Sequence, residues 1–119
     1  MQGAYSHTRQ WNRRRPDLEG LPAVATTPDG KKITLARDDW LHVRFRHPEV
    51  GTDPSVLVQA VSDPDELHTD ERGAFHALKR IDKGHFLVVI YRAAEPDRGL
   101  TKTTFIINQK RKSRRYWVQ

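Results

Sequence analysis

The chain of 119 residues contains no cysteine and no long apolar run. Without cysteine, disulfides and thiolate metal sites are excluded, and a reducing compartment, the cytoplasm, is the expected location. A membrane-spanning helix needs roughly 18 consecutive apolar residues, so no membrane partner is expected. The sequence also has no Walker loop, dinucleotide fingerprint, Gly-x-Ser-x-Gly or His-Glu-x-x-His motif. Nucleotide hydrolysis, redox catalysis, serine hydrolysis and zinc proteolysis therefore lack support.

Acidic residues are scarce in the last part of the chain. The formal net charge is +6, but residues 74–119 hold eleven basic and three acidic residues, whereas residues 31–73 hold six basic and nine acidic ones. A one-sided basic surface attracts polyanions, and nucleic acid is the commonest polyanion in a cell. The charge distribution thus predicts a nucleic-acid partner without specifying an activity.

The first thirty residues differ in character from the rest. Residues 1–30 are polar, lack apolar periodicity and are interrupted by Pro16, Gly20, Pro22 and Pro28. Such a segment is typical of an extension that is partly flexible. The sequence predicts this N-terminal extension and a single domain that covers residues 31–119 and ends in a basic segment.

Two helices are predicted, over residues 37–47 and 53–62. The first has acidic residues in its first turn and basic residues in its last turn, which oppose the two ends of the helix dipole. Pro48 ends it, and Pro54 occupies the first position of the second helix, where proline is favoured. The apolar residues of both helices fall on one stripe, so each is expected to pack on a sheet.

A two-residue period predicts the strands that follow. Residues 86–90 form an unbroken apolar run and predict a central strand that is buried on both faces. The links between strands are short and rich in turn residues, which favours an antiparallel meander. Residues 116–118 could add an edge strand. The fold class is therefore expected to be α+β, with two helices packed on a three- to five-stranded antiparallel sheet whose other face is partly open and basic. The predicted strands are residues 32–35, 66–70, 74–81, 85–92 and 101–107.

His47 is the first candidate for chemistry. It lies at the end of the first helix, on the stripe of Trp40 and Val43, with Arg46 before it and Glu49 after it. An imidazole at the edge of a cleft beside charged groups can transfer protons near neutral pH. The alternative is a helix-terminal histidine that satisfies the last carbonyl groups.

The strands carry four further candidates. His76 and Arg80 lie on the same face of one strand, where an imidazole beside a guanidinium could move a proton and hold a phosphate, while Lys79 faces the opposite way. Thr103 and Thr104 occupy the middle of a later strand. Either hydroxyl could donate to a phosphoryl oxygen, although threonine is also favoured in strands for structural reasons.

A cluster of cations and aromatic residues close to the C-terminus is the most specific sign of a nucleic-acid partner. Cations neutralise phosphates, and aromatic rings stack on bases. The alternative is a solvated basic tail. His7, His42, His68 and His85 show no metal-ligand spacing and are assigned no role, and no cofactor or metal is predicted. The candidate RNA-binding residues are Arg44, Arg46, Lys79, Lys110, Arg111, Lys112, Arg114, Arg115, Tyr116 and Trp117.

The order of several short motifs resembles a known group of nucleases. The motifs include Trp40-x-His42-Val43-x-x-x-His47-Pro48-Glu49, Asp63-Pro64-Asp65-Glu66, Leu87-Val88-Val89-Ile90-Tyr91 and Lys102-Thr103-Thr104-Phe105. In this order they resemble the phage-associated branch of the barnase/EndoU/colicin/RelE-like (BECR) nuclease superfamily over residues 33–107. The resemblance implies a small metal-independent ribonuclease, in many members a toxin, with two N-terminal helices packed on a four-stranded antiparallel sheet and the site on the open sheet face. It implies roles for the histidine at position 47, the arginine at position 80 and the threonine at position 103.

Together these features lead to one hypothesis and two alternatives. The hypothesis is a toxin-like endoribonuclease that cleaves RNA by attack of the 2′-hydroxyl, with His47 and His76 transferring protons and Arg80 and Thr103 stabilising the phosphorane. An acidic antitoxin or immunity protein is expected to cover its basic face. The alternatives are a non-catalytic RNA- or DNA-binding module and a phage-related protein-interaction domain.

Overall fold

The computed structural model describes residues 20–116, in which six strands and three helices follow one another along the chain. A 3₁₀ turn at Pro48–Val50 follows the first helix. The strands are β1 Ala23–Thr26, β2 Lys32–Leu35, β3 Glu66–Thr69, β4 Phe75–Asp82, β5 His85–Glu95 and β6 Arg98–Asn108, and the helices are α1 Arg37–Arg46, α2 Ser55–Ser62 and α3 Gln109–Arg115.

The sheet contains more strands than the sequence predicts. Its order is β1-β2-β6-β5-β4-β3, and β3 to β6 form the expected antiparallel meander. However, β2 pairs in parallel with the start of β6, and β1 pairs antiparallel with β2. The prediction of two helices on a four-stranded antiparallel sheet is therefore wrong: the chain is α+β, with three helices and a six-stranded mixed sheet.

The long last strand explains the two additional strands. β6 has eleven residues, and its first residues, Arg98 to Leu100, extend along β2. A hairpin then adds β1: the Thr27 N–H donates to the Lys31 carbonyl at 2.9 Å, and the Gly30 N–H donates to the Thr27 carbonyl at 2.9 Å. Part of the expected N-terminal extension, residues 23–26, thereby belongs to the sheet.

One face of the sheet packs against α1 and α2. Trp40 and Val43 of α1 are completely buried, as the predicted helical stripe requires, and they join Leu57 of α2 and Val89 of β5 in one core. Residues 86–89 are buried on both faces of the sheet, which confirms the central strand. No helix within residues 20–116 is long and apolar enough to cross a membrane.

The other face is partly covered, not open. The basic segment forms α3, and Tyr116, which follows this helix, packs with Leu78, Phe86 and Val88 of the sheet. The Asn108 side chain accepts a hydrogen bond from the Arg111 N–H at 2.8 Å and so caps the helix. Because β5 is apolar on both faces of the sheet, its second apolar face must also be shielded from water, and α3 with Tyr116 covers it. Tyr116, the first residue of the predicted edge strand, is the C-cap of α3, and positions 117 and 118 lie outside the described residues.

Candidate functional site

His47 caps the C-terminal end of α1. Its backbone N–H donates to the Val43 carbonyl at 2.6 Å, which closes the last turn, and its side chain is 34% exposed. The imidazole Nδ1 lies 3.3 Å from Oε2 of Glu49, and the ring centroid lies 6.0 Å from that of Phe105 on β6. The turn that Pro48 imposes places the carboxylate of Glu49 beside the ring. His47 and Glu49 therefore form a titratable pair at the edge of the sheet.

This pair lies where β6 has no neighbouring strand. Among residues 20–116, β2 pairs only with Arg98 to Leu100, so the second half of β6 has a free edge on that side. The end of α1 and the 3₁₀ turn lie against this edge and leave a concave site of about 280 Å³, hereafter the His47 site. The His47 site is lined by His47, Glu49, Phe105, Ile106, Ile107, Arg111 and Arg115.

The cations of this site come from α3. Arg111 and Arg115 are four residues apart on the helix and therefore lie on the same side of it. The guanidinium carbon of Arg115 lies 4.9 Å from the centre of the Phe105 ring, within range of a cation–π contact. Within residues 20–116 the Arg111 side chain makes no ion pair. Two guanidinium groups are thus available to an anion next to His47.

A second concave site, of about 470 Å³, lies at the β3–β4 turn and is hereafter the His76 site. Within it Asp70 Oδ2 lies 2.9 Å from His76 Nε2, and His76 Nδ1 lies 2.7 Å from the Tyr116 hydroxyl. Arg115 also lines this site, so the two sites adjoin at its side chain. The His76 site is lined by His68, Thr69, Asp70, Glu71, His76, Arg115 and Tyr116.

The protons of the Asp70–His76–Tyr116 chain can be placed. The hydrogen bond from His76, together with those from the Ala74 and Arg72 N–H groups, lowers the pKa of Asp70 to about 2. The ionised carboxylate only accepts, so a neutral His76 carries its proton on Nε2 and its Nδ1 accepts from the Tyr116 hydroxyl. Burial raises the pKa of Tyr116, which keeps the phenol protonated. Both imidazole nitrogens are therefore occupied.

The other predicted catalytic residues lie elsewhere. Thr103 is on the same sheet face as His76, in one cross-strand row with Ile90 between them. Arg80 is further along β4, where it donates to the Lys83 carbonyl at 2.9 Å and lies over the Phe86 ring. The structure therefore does not bring His47, His76, Arg80 and Thr103 together around one phosphate-sized site. Thr104 is buried and donates to the Val88 carbonyl at 2.5 Å.

Some of the predicted RNA-binding residues already make contacts within the protein, and others have exposed side chains. Lys79 donates to the Asp63 carbonyl at 2.8 Å, and Lys112 forms an ion pair with Glu66 at 2.5 Å. Tyr116 is only 6% exposed. Arg44 is half-buried on α1, and Trp117 lies outside the described residues. The exposed cations at the end of α1 and on α3 are Arg46, Lys110, Arg111, Arg114 and Arg115.

Sequence reasoning named Glu49 only as a charged neighbour of His47 and assigned no role to Phe105. Glu49 carries a signal, because a carboxylate two residues after a helix-ending histidine can reach back to its ring. Phe105 carries no such signal, because an aromatic residue in a strand is as typical of a hydrophobic core as of a functional site. Comparison of the chain with family models, with curated proteins and with solved structures gives no match.

Proposed function

We propose that the protein is a metal-independent endoribonuclease of the BECR type and that its active site is the His47 site. One observation carries the proposal: an imidazole, a carboxylate and two guanidinium groups from three separate elements line one concave site. These are the groups that cleavage of RNA by its own 2′-hydroxyl needs, since the reaction requires proton transfer and stabilisation of a phosphorane.

The contact between His47 and Glu49 suggests how the proton moves. In the tautomer that carries its proton on Nδ1, the His47 imidazole donates to Glu49 across 3.3 Å, and Nε2 is free to act as a base. Nε2 takes the proton of the 2′-hydroxyl, whose oxygen attacks phosphorus and forms a 2′,3′-cyclic phosphate. The bond from phosphorus to the 5′-oxygen breaks, and this leaving oxygen takes a proton from water. His47 is thus the catalytic base and Glu49 its orienting carboxylate.

The guanidinium groups supply the charge that the reaction needs. Arg111 and Arg115 hold the non-bridging oxygens of the phosphate and stabilise the charge that develops in the transition state. Phe105 offers an aromatic ring that lines the site to the adjoining base or ribose. The further cations Arg46, Lys110 and Arg114 extend the basic surface along the RNA backbone.

A second function, RNA binding without cleavage, is favoured by one observation. The second predicted proton-transfer group, His76, is 6% exposed and is bonded at both nitrogens. The His47 site therefore contains a single histidine, which a binding module would also accommodate. For either function we propose an acidic protein partner that covers α3, since its free cations would speed electrostatic capture.

Incubation of the protein with total RNA in the presence of a chelator distinguishes the two functions. We expect cleavage by the wild-type protein and a loss of about 10² to 10⁴ in rate for His47→Ala, the usual contribution of a general base. His42→Ala is the matched control, because His42 is an exposed histidine on the same helix. Intact RNA with salt-dependent binding selects the binding module. Equal rates for His47→Ala and His42→Ala exclude the proposed site.

A further inference from the structure

A chain of three hydrogen-bonded side chains, two of them buried, lies beside the proposed active site, and the proposed reaction does not use it. Asp70 is hydrogen-bonded to His76 at 2.9 Å, and His76 to Tyr116 at 2.7 Å. His76 and Tyr116 are each 6% exposed. Because both imidazole nitrogens already have partners, this chain is suited to hold groups in place and not to exchange a proton with a ligand.

One end of the chain is anchored to the backbone. Oδ1 of Asp70 accepts hydrogen bonds from the Arg72 N–H at 2.9 Å and from the Ala74 N–H at 3.0 Å. The Asp70 N–H in turn donates to the Ala74 carbonyl at 3.0 Å. The carboxylate is therefore fixed by the turn that joins β3 to β4, which gives His76 a rigid partner.

The other end of the chain reaches Arg115. The Tyr116 ring centre lies 5.5 Å from the Arg115 guanidinium carbon, and the Phe105 ring centre lies 4.9 Å from the same atom. The guanidinium group thus contacts two aromatic rings, and the hydroxyl of one of them is held by His76. A long flexible side chain that is fixed before the ligand binds loses less conformational entropy on binding.

We infer that Asp70, His76 and Tyr116 are positioning residues that hold Arg115 in the orientation that binds the RNA phosphate. The inference rests on the proposed function for the role of Arg115. The inference also assigns a role to the His76 site: its polar side chains orient Arg115, the residue that lines both this site and the adjoining His47 site.

A double-mutant cycle separates positioning from simple stabilisation of α3. Tyr116→Phe keeps the ring and removes the hydroxyl. The probe is a 2′-O-methyl oligoribonucleotide, which lacks the attacking hydroxyl, and its half-saturating concentration is measured in each variant. We expect Tyr116→Phe to weaken binding about fivefold, the value of one hydrogen bond, and to have no further effect when Arg115→Ala is already present.

Glu66→Gln is the matched control. Glu66 is a carboxylate on the neighbouring strand that bonds Lys112 of the same helix but does not contact Arg115. Its effect should multiply with that of Arg115→Ala. Unchanged binding by Tyr116→Phe, or an effect that multiplies with Arg115→Ala as the control does, overturns the inference.

A further variant and a separate cleavage assay complete the test. Asp70→Asn has nearly the same shape but turns an amide toward His76, so it should behave as Tyr116→Phe does even if that variant unfolds. Cleavage of ordinary RNA is scored separately from binding of the probe. An intact cycle without cleavage contradicts the proposed ribonuclease alone, whereas cleavage without coupling contradicts the positioning role alone.

Discussion

The Tyr116 hydroxyl lies 2.7 Å from Nδ1 of His76, a residue forty positions earlier in the chain. This hydrogen bond joins the end of α3 to the start of β4, and both side chains are buried. It also explains why His76, which sequence reasoning places among the proton-transfer groups, has no free nitrogen. His47 remains as the histidine of the proposed site.

Removal of the His76 side chain should destabilise the fold. His76→Ala removes the hydrogen bond between His76 and the buried Tyr116 hydroxyl and opens a cavity between β4 and α3. We expect a loss of about 2 to 3 kcal/mol in the free energy of unfolding, measured by urea denaturation. His85→Ala is the control, because His85 is exposed and pairs only with exposed Asp82, so its change should stay within about 0.5 kcal/mol. Equal losses in the two variants would contradict the buried hydrogen bond between His76 and Tyr116.

Stability should depend on the titration of Asp70 in acid. The hydrogen bond from His76 lowers the pKa of Asp70 from 3.8 to about 2. A lowered pKa means that the folded state favours the ionised form, so the stabilisation is complete above about pH 4 and is lost as the pH falls toward 2. Urea midpoints of the wild-type protein and of Asp70→Asn should therefore differ at pH 5 and converge at pH 2. A constant difference across this range would refute the assignment.

Binding of the RNA backbone should lose salt dependence when a cation of α3 is removed. Each contact to a single-strand phosphate contributes about 0.7 to the slope of log affinity against log salt concentration. Arg111→Ala and Arg115→Ala should each reduce the slope by about this amount. Lys102→Ala removes an exposed cation of β6 outside the His47 site and should leave the slope unchanged. Equal reductions for all three variants would indicate a diffuse attraction.

The close approach of β5 and β6 depends on Gly99. A Cβ atom at this position would overlap the Arg92 carbonyl oxygen and press on Ala93. We expect Gly99→Ala to cost about 1 to 3 kcal/mol in the free energy of unfolding. Gly84→Ala is the control, since a Cβ there meets no atom within 4 Å and its φ angle is not positive. A Gly99→Ala variant as stable as the control would show that β5 and β6 do not pack this closely.

Local sequence patterns were sufficient to predict the helices and strands whose contacts are close in sequence. The strand Lys32–Leu35 matches its predicted bounds, and α1 begins at Arg37 and ends just before His47. The four strands of the meander also follow, since alternation and short turns decide them. Periodicity and turn chemistry depend on residues that are close in sequence, so they are sufficient to predict these strands and this helix.

Pairing between strands that are distant in sequence could not be predicted from local sequence patterns. β1 is four residues long and exists because β2 offers it an edge, and β2 in turn pairs with residues more than sixty positions later. In the same way, α3 forms because an apolar sheet face needs a cover and Asn108 caps the helix. The placement of Arg115 beside both Phe105 and Tyr116 depends on that helix, so no sequence pattern indicated it.

The most direct test of the ribonuclease proposal is the identity of the products from a defined oligoribonucleotide. Wild-type protein in chelator should release fragments whose mass shows a 2′,3′-cyclic phosphate, and a single 2′-deoxy substitution at the cleavage position should abolish the cut there. The same fragments should disappear with His47→Ala and persist with His42→Ala. Cleavage that proceeds at the 2′-deoxy position, or that survives His47→Ala, would contradict the account.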